Sequence, residues 1–241
     1  MSTLVEVRLW GRTIGAASLD TGERYALFQY DPGFAGSGIE LSPLVMPLSR
    51  RVHRFPDLSI QTFRGLPGLL ADSLPDRFGD RLIAAWLARQ GRTAEDFNAL
   101  ERLCYVGSRG MGALEFAPAI GPRSAAAERI HVDALVGLAA EVLASRGGLA
   151  ASFEDMERER ALVWNPTTDE VRSGQGDAPP GFEHWLLKFD GVQGNRDKEL
   201  DDPLGFCAGE YAYSLMARAA GIAMPETRLL EEGGRRHFMA R

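Results

Sequence analysis

The chain has 241 residues, of which 45% are hydrophobic and 25% charged. This is ordinary globular composition, long enough for one or two domains with cores of their own, and it excludes disorder, collagen-like repeats and low-complexity architecture as the main organisation. The 27 Lys and Arg against 33 Asp and Glu leave a formal net charge of -6, which argues against a broad basic surface for nucleic acid.

The acid is unevenly placed. Residues 1–122 hold 13 basic and 13 acidic side chains, whereas residues 123–241 hold 14 and 20. Lysine occurs only at positions 188 and 198, so each lysine in a suggestive setting carries weight. The two cysteines, Cys104 and Cys207, lie in separate apolar helical patterns and fit free buried thiols in a reducing compartment. His53, His131, His184 and His237 are scattered and spell no metal site. The first residues have no signal-peptide pattern, and no run of about 18 apolar residues appears. These features together predict a cytoplasmic protein that does not enter a membrane.

Residues 3–30 alternate in short runs. Leu4 to Trp10, Ile14 to Leu19 and Tyr25 to Tyr30 predict a β-meander, with turns at Gly11-Arg12 and Thr21-Gly22. Asp31 to Gly38 reads as loop. Asp72-Ser73-Leu74-Pro75 predicts a helix entry, and Phe78, Leu82, Ile83, Trp86 and Leu87 then share one helical stripe. Thr93-Ala94-Glu95-Asp96 resembles a capping box, opening a helix with the face Phe97, Leu100, Leu103 and Cys104.

The Gly107-x-x-Gly110-x-Gly112 run follows a helix and precedes an apolar strand. That is the wrong order for a dinucleotide fingerprint, and a structural turn with positive φ is the better reading. Residues 117–129 read as a linker, and 133–144 as an amphipathic helix ended by Gly147-Gly148. Strands are expected at 161–164, 184–189, 227–230 and 237–240, with a helix over 210–220. The coarse reading is α+β, with a boundary near 117–130. Asp197, Glu199, Asp201 and Asp202 read as a solvated loop, because metal sites need tighter ligand logic.

Three stretches resemble the HipA family of toxin–antitoxin serine/threonine kinases. They are Phe63-Arg64-Gly65-Leu66-Pro67-Gly68 through Asp76, Tyr105-Val106-Gly107-Ser108-Arg109-Gly110 through Phe116, and Pro180-Gly181 through Asp190 with Gly209-Glu210-Tyr211 and Ala217 to Ile222. Their order and spacing run along nearly the whole chain. The resemblance implies an N-terminal subdomain over 1–122 and a kinase-like N-lobe over 123–241, an antiparallel sheet with one main helix. It also implies that the catalytic C-lobe, with its catalytic-loop Asp and Asn and its metal-binding Asp, would lie beyond Arg241. The chain then reads as the N-terminal portion of a kinase and is expected to be inactive alone.

By the same resemblance, Lys188 would hold the α/β-phosphates of ATP and Glu210 would position it. Spacing alone also fits a surface lysine at a strand end and a glutamate in a first helical turn. Family members carry a Gly-rich loop ending in Lys before the strand at 161–163. Here the corresponding run is Ser152 to Arg160, with Arg160 in the lysine's place and Glu154, Asp155, Glu157 and Glu159 beside it. Four carboxylates would repel a triphosphate, so weak or absent ATP binding is expected. The family also implies Mg²⁺ for the intact enzyme and a small helix-turn-helix antitoxin that supplies the DNA contacts. A non-catalytic module that binds an antitoxin or a separate C-lobe is the alternative. Without C-lobe cover, Tyr213, Met216, Phe238 and Met239 are expected to be exposed and to drive self-association.

Overall fold

A computed structural model describes residues 2–110, 112–121, 132, 161–174, 178–191 and 204–241. The chain divides into two compact units, Met1–Pro122 and Arg123–Arg241. The helix expected at 133–144, Gly147-Gly148 and the acidic run 197–202 lie outside the described residues.

The first unit opens with β1 (Ser2–Leu9) and β2 (Arg12–Asp20), antiparallel with Leu9 opposite Arg12. Val5, Val7 and Leu9 point into the core while Glu6 and Arg8 pair on the other face at 2.7 Å. This period of two makes a half-buried strand. The connecting residues Trp10 and Gly11 both have positive φ, 50° and 76°, the turn that matches strand twist in a two-residue hairpin. β3 (Leu27–Tyr30) completes the expected meander, and β4 (Val52–His53) adds an edge. With β5 (Leu114–Ala117) the antiparallel sheet runs β4-β3-β2-β1-β5.

Helical segments cover this sheet. Asp31 was expected in a loop but caps the short α1 (Pro32–Ala35), its carboxylate accepting from Gly33 N–H at 2.8 Å. Two further short helices follow, α2 (Ile60–Phe63) and α3 (Gly68–Ala71). The longer α4 (Arg77–Arg89) begins at Asp76, whose Oδ1 accepts from Gly79 N–H at 3.0 Å. The entry therefore sits at Asp76 rather than at Asp72–Pro75.

Thr93–Asp96 forms only a 3-10 turn, in which Thr93 Oγ1 bonds Asp96 at 2.9 Å. The capping box lies instead at Asn98 and Glu101, where α5 (Ala99–Val106) starts. Asn98 carries an acceptor that reaches two N–H groups, and Glu101 returns to the Asn98 N–H at 2.8 Å. Leu70, Leu100 and Leu103 are fully buried against Phe28, Tyr30 and Ile14, and each such side chain contributes about 1.5–3 kcal/mol by leaving water. Gly107 ends α5 with φ of 60°, the structural turn that its context suggested.

The second unit is a five-stranded antiparallel sheet in the order β7-β6-β8-β10-β9. β6 (Ala161–Asn165), β8 (Glu183–Lys188), β9 (Thr227–Glu232) and β10 (Arg235–Ala240) fall where strands were expected. β7 (Glu170–Ser173) was not anticipated. It pairs with β6 across the Asn165–Asp169 turn, where Asn165 Oδ1 accepts from Thr167 N–H at 2.9 Å. Among the described residues of this unit the one long helix, α6 (Phe206–Ala219), lies against β9 and β10. Trp164 and Trp185 meet edge to face at 5.7 Å in the core beneath Leu162, Val171 and Met239. The molecule is thus α+β, with two antiparallel sheets, as the sequence predicts.

One expectation about the surface is corrected. Tyr213 and Met216 on α6 are exposed, 72% and 62%, but Met239 is 1% exposed and Phe238 half-buried. Met239 alternates inward on β10 and joins the tryptophan core, so the sheet itself covers it.

Candidate functional site

β8 delivers Lys188 to the end of the strand. Its neighbour across the ladder is Phe238 on β10. Trp185 and Leu187 point into the core, which turns Leu186 and Lys188 to the opposite face. The lysine head therefore sits outside the apolar layer, with its side chain 55% exposed.

Glu210 comes from α6. That helix starts at Phe206, four residues earlier than the pattern suggested, so Glu210 occupies its second turn and the first turn holds no acid. The N-terminal dipole is thus not what places this carboxylate. Lys188 Nζ donates to Glu210 Oε1, and the two sequence-predicted residues form an ion pair. Arg160 lies outside the described residues.

An exposed pair of this kind typically contributes only about 0–1 kcal/mol. The pair cannot by itself hold a helix against a sheet. A buried polar cluster beneath it is better suited to do so. Asp190, two residues past Lys188, is 3% exposed. Its carboxylate accepts from Gly205 N–H at 2.9 Å and from Cys207 N–H at 3.3 Å, the first free donors of α6. Buried hydrogen bonds to a charged group contribute about 1.5–3 kcal/mol each.

Three further groups converge there. The Asp190 N–H donates to His237 Nδ1 at 3.1 Å, and His237 is fully buried on β10. Arg235 donates to the carbonyls of Asp190 and Gly191 at 2.9 and 3.1 Å. Cys207 Sγ donates to the Lys188 carbonyl at 3.3 Å, and burial pushes its thiol above the ordinary range. The far part of α6 is tied to β9 by Ser214 and Thr227, whose hydroxyls lie 2.7 Å apart, with Arg218 donating to Thr227 at 2.6 Å.

Sequence reading found Lys188 and Glu210 and read Cys207 as a free buried thiol, as it is, but gave Asp190, Cys207 and His237 no part in the site. Only the Lys188-Phe189-Asp190 sequence hinted at the first. A carboxylate that caps a helix from 15 residues upstream has no local pattern. Among the described residues no group of three or more His, Cys, Asp or Glu is placed to hold a metal ion.

The comparisons with known proteins bear on both units. The family described as the HipA N-terminal domain matches residues 5–117, nearly all of the first unit. Over that span the first unit is similar to the HipA N-terminal domain. The HipA likeness extends further as a fold. A chain in the solved complex of the Shewanella oneidensis MR-1 toxin–antitoxin system, HipA and HipB with their operator DNA, matches 98% of this chain at a TM-score of 0.58 and 17% identity. The match takes in 50% of that chain, so the present chain spans about half its length. No curated protein matches the sequence. No helix among the described residues of this HipA-like chain is long and apolar enough to cross a membrane.

Proposed function

We propose that the chain is the N-terminal portion of a HipA-like serine/threonine protein kinase of a toxin–antitoxin system, with Lys188 and Glu210 forming its nucleotide-anchoring pair. The observation that carries this reading is the Lys188–Glu210 ion pair, formed between the end of β8 and α6. Phosphoryl transfer depends on positioned cations at the phosphates, and a carboxylate that orients a half-exposed lysine leaves its amine open to a phosphate oxygen. The HipA N-terminal domain and the HipA-like fold support the same reading.

ATP with Mg²⁺ would be the cofactor of the intact enzyme. Lys188 would take the α/β-phosphates, with Arg160 as a further cation argued from sequence alone. The described residues supply no metal-holding cluster. A helix-turn-helix antitoxin would be the partner and would carry the DNA contacts, in keeping with the acidic balance of this chain.

A second reading is a non-catalytic interaction module. It is favoured by α6, where Phe206, Tyr213, Leu215 and Met216 are 46–72% exposed on a helix that buries only Cys207 and Ser214.

Calorimetry with ATP on the full chain separates the two. The kinase reading expects weak binding that Lys188→Ala abolishes while changing stability by less than about 1 kcal/mol. It also expects no transfer of labelled phosphate from ATP to a protein substrate above the Lys188→Ala control. ATP binding indifferent to Lys188→Ala would remove the nucleotide reading and leave the module.

A further inference from the structure

We propose that Asp190 is the positioning residue of the Lys188–Glu210 pair, a role that rests on the nucleotide reading of that pair only for its purpose and not for its geometry. The N-cap position of α6 is Gly205, which has no side chain and makes no cap of its own. The cap is supplied from the end of β8. Asp190 Oδ1 accepts from both Gly205 and Cys207 N–H, and Oδ2 accepts from Gly205 at 3.1 Å. One residue therefore joins the strand that carries Lys188 to the helix that carries Glu210.

Its own backbone is fixed independently. The Asp190 N–H is held by His237 and its carbonyl by Arg235, both from β10. The next residue, Gly191, packs against Leu204 so closely that a Cβ there would come within 2.5 Å of the leucine Cδ2. The carboxylate is thus aimed by the sheet and received by the helix. Movement of α6 along its axis would break the cap before it stretched the exposed, flexible Lys188 side chain. The amine and the carboxylate meet because Asp190 sets the start of the helix.

The chain makes this directly measurable, since its only two lysines are Lys188 and Lys198. Acylation of the full chain by an N-hydroxysuccinimide ester, followed by peptide mass spectrometry, reads Lys188 with Lys198 as internal reference. The hydrogen bond from Lys188 Nζ to Glu210 holds the amine against the carboxylate and covers it from the reagent, so Glu210→Gln, which replaces a charge-assisted bond with a weaker neutral one, raises the Lys188 rate. Asp190→Ala is expected to raise it about fivefold, the factor that loss of a helix cap represents. Asp190→Asn, which keeps one acceptor oxygen, falls between the two. Because both residues act through one contact, Asp190→Ala combined with Glu210→Gln gives no further rise over Glu210→Gln alone.

A purely structural role predicts otherwise. Asp190→Ala would then lower the melting temperature while the Lys188 rate stays at the wild-type ratio to Lys198, or the two substitutions would add. Either result overturns the proposal, and if Asp190→Ala does not fold, Asp190→Asn with Glu210→Gln decides in the same way. ATP calorimetry on Lys188→Ala separates the two layers. If Lys188→Ala leaves ATP binding unchanged while Asp190→Ala still frees Lys188, the nucleotide reading fails and the positioning role stands. If Lys188→Ala abolishes binding and a folded Asp190→Ala leaves Lys188 shielded as in wild type, the positioning role fails and the nucleotide reading stands.

Discussion

In the first unit a buried charge meets a charge of opposite sign on a neighbouring helix. Arg102 on α5, 9% exposed, donates to Asp80 on α4 at 2.6 Å and to the Ala94 carbonyl at 3.1 Å, while Arg64 closes on the same carboxylate. In the second unit the buried Asp190 instead takes up backbone N–H groups at a helix start. The first arrangement fastens helix to helix at the edge of a covered core, with Arg102 buried and Arg64 reaching solvent. The second fastens a strand end to a helix beside the exposed Lys188–Glu210 pair. The helices differ to match. Ile83 and Leu87 on α4 and Leu100 and Leu103 on α5 are fully buried, whereas α6 leaves much of its apolar surface in water. The first unit covers its helices and neutralises its charges locally, and the second leaves a helix face open above a buried polar cluster.

The largest test of this contrast is core truncation. Phe28→Ala in the first unit and Trp185→Ala in the second should each cost about 3–5 kcal/mol. Hydrogen exchange read by peptide should localise the damage. Phe28→Ala is expected to lose protection across residues 2–117 and to spare β9 and β10, and Trp185→Ala to do the reverse. Equal loss everywhere would mean that the two units fold as one cooperative body, and the contrast between them would lapse.

A smaller effect probes how closely the first unit is packed around its loops. Gly65 has φ of 78°, and a Cβ there would lie 2.0 Å from the Arg24 carbonyl oxygen. Gly22 has φ of 91° with open space around it. Gly22→Ala should cost only backbone strain, about 1 kcal/mol, and Gly65→Ala should cost more than about 2 kcal/mol because the Arg24 segment must also move. Urea midpoints of the two variants give the comparison. Equal midpoints would show that the 24–26 segment yields freely.

The smallest effect is a pH dependence that belongs to the first unit. His53 lies edge on to Tyr30 at 5.7 Å and stacks on Phe55 at 6.4 Å, and burial holds its pKa below the ordinary 6.5. The unfolded chain therefore takes up the proton first as pH falls. Its contribution is complete above pH 6.5 and is lost as pH falls from there through the lower folded value. Urea midpoints between pH 8 and pH 5 should decline, and His53→Phe should flatten that decline. An unchanged slope in the variant would place the titration elsewhere.

Much of this architecture is legible in residue order. Alternation of Val5, Val7 and Leu9 against Glu6 and Arg8 gives a strand with one wet face, and the Gly233-Gly234 pair marks a hairpin because both residues take positive φ there. Such signals are local and survive in any context that buries one face. The exceptions are instructive. Asn98 rather than Thr93 opens α5: both have extended backbones, but only the Asn98 side chain accepts from helix N–H groups, while the Thr93 hydroxyl is taken up by Asp96. β7 has only four residues, and its pairing with β6 depends on the Asn165 turn more than on its own pattern.

The site divides along the same line. Lys188 at the end of an apolar strand and Glu210 on an amphipathic helix could be named from sequence and resemblance, because both sit on elements whose periodicity shows which face they take. Their meeting could not be read there. It depends on where α6 begins relative to β8, and that start is set by Asp190, His237 and Arg235, residues up to 47 positions apart in the chain. Periodicity records which way a side chain points from its own element. The register between elements is decided by buried hydrogen bonds over long sequence separations, and only the folded chain brings those partners together.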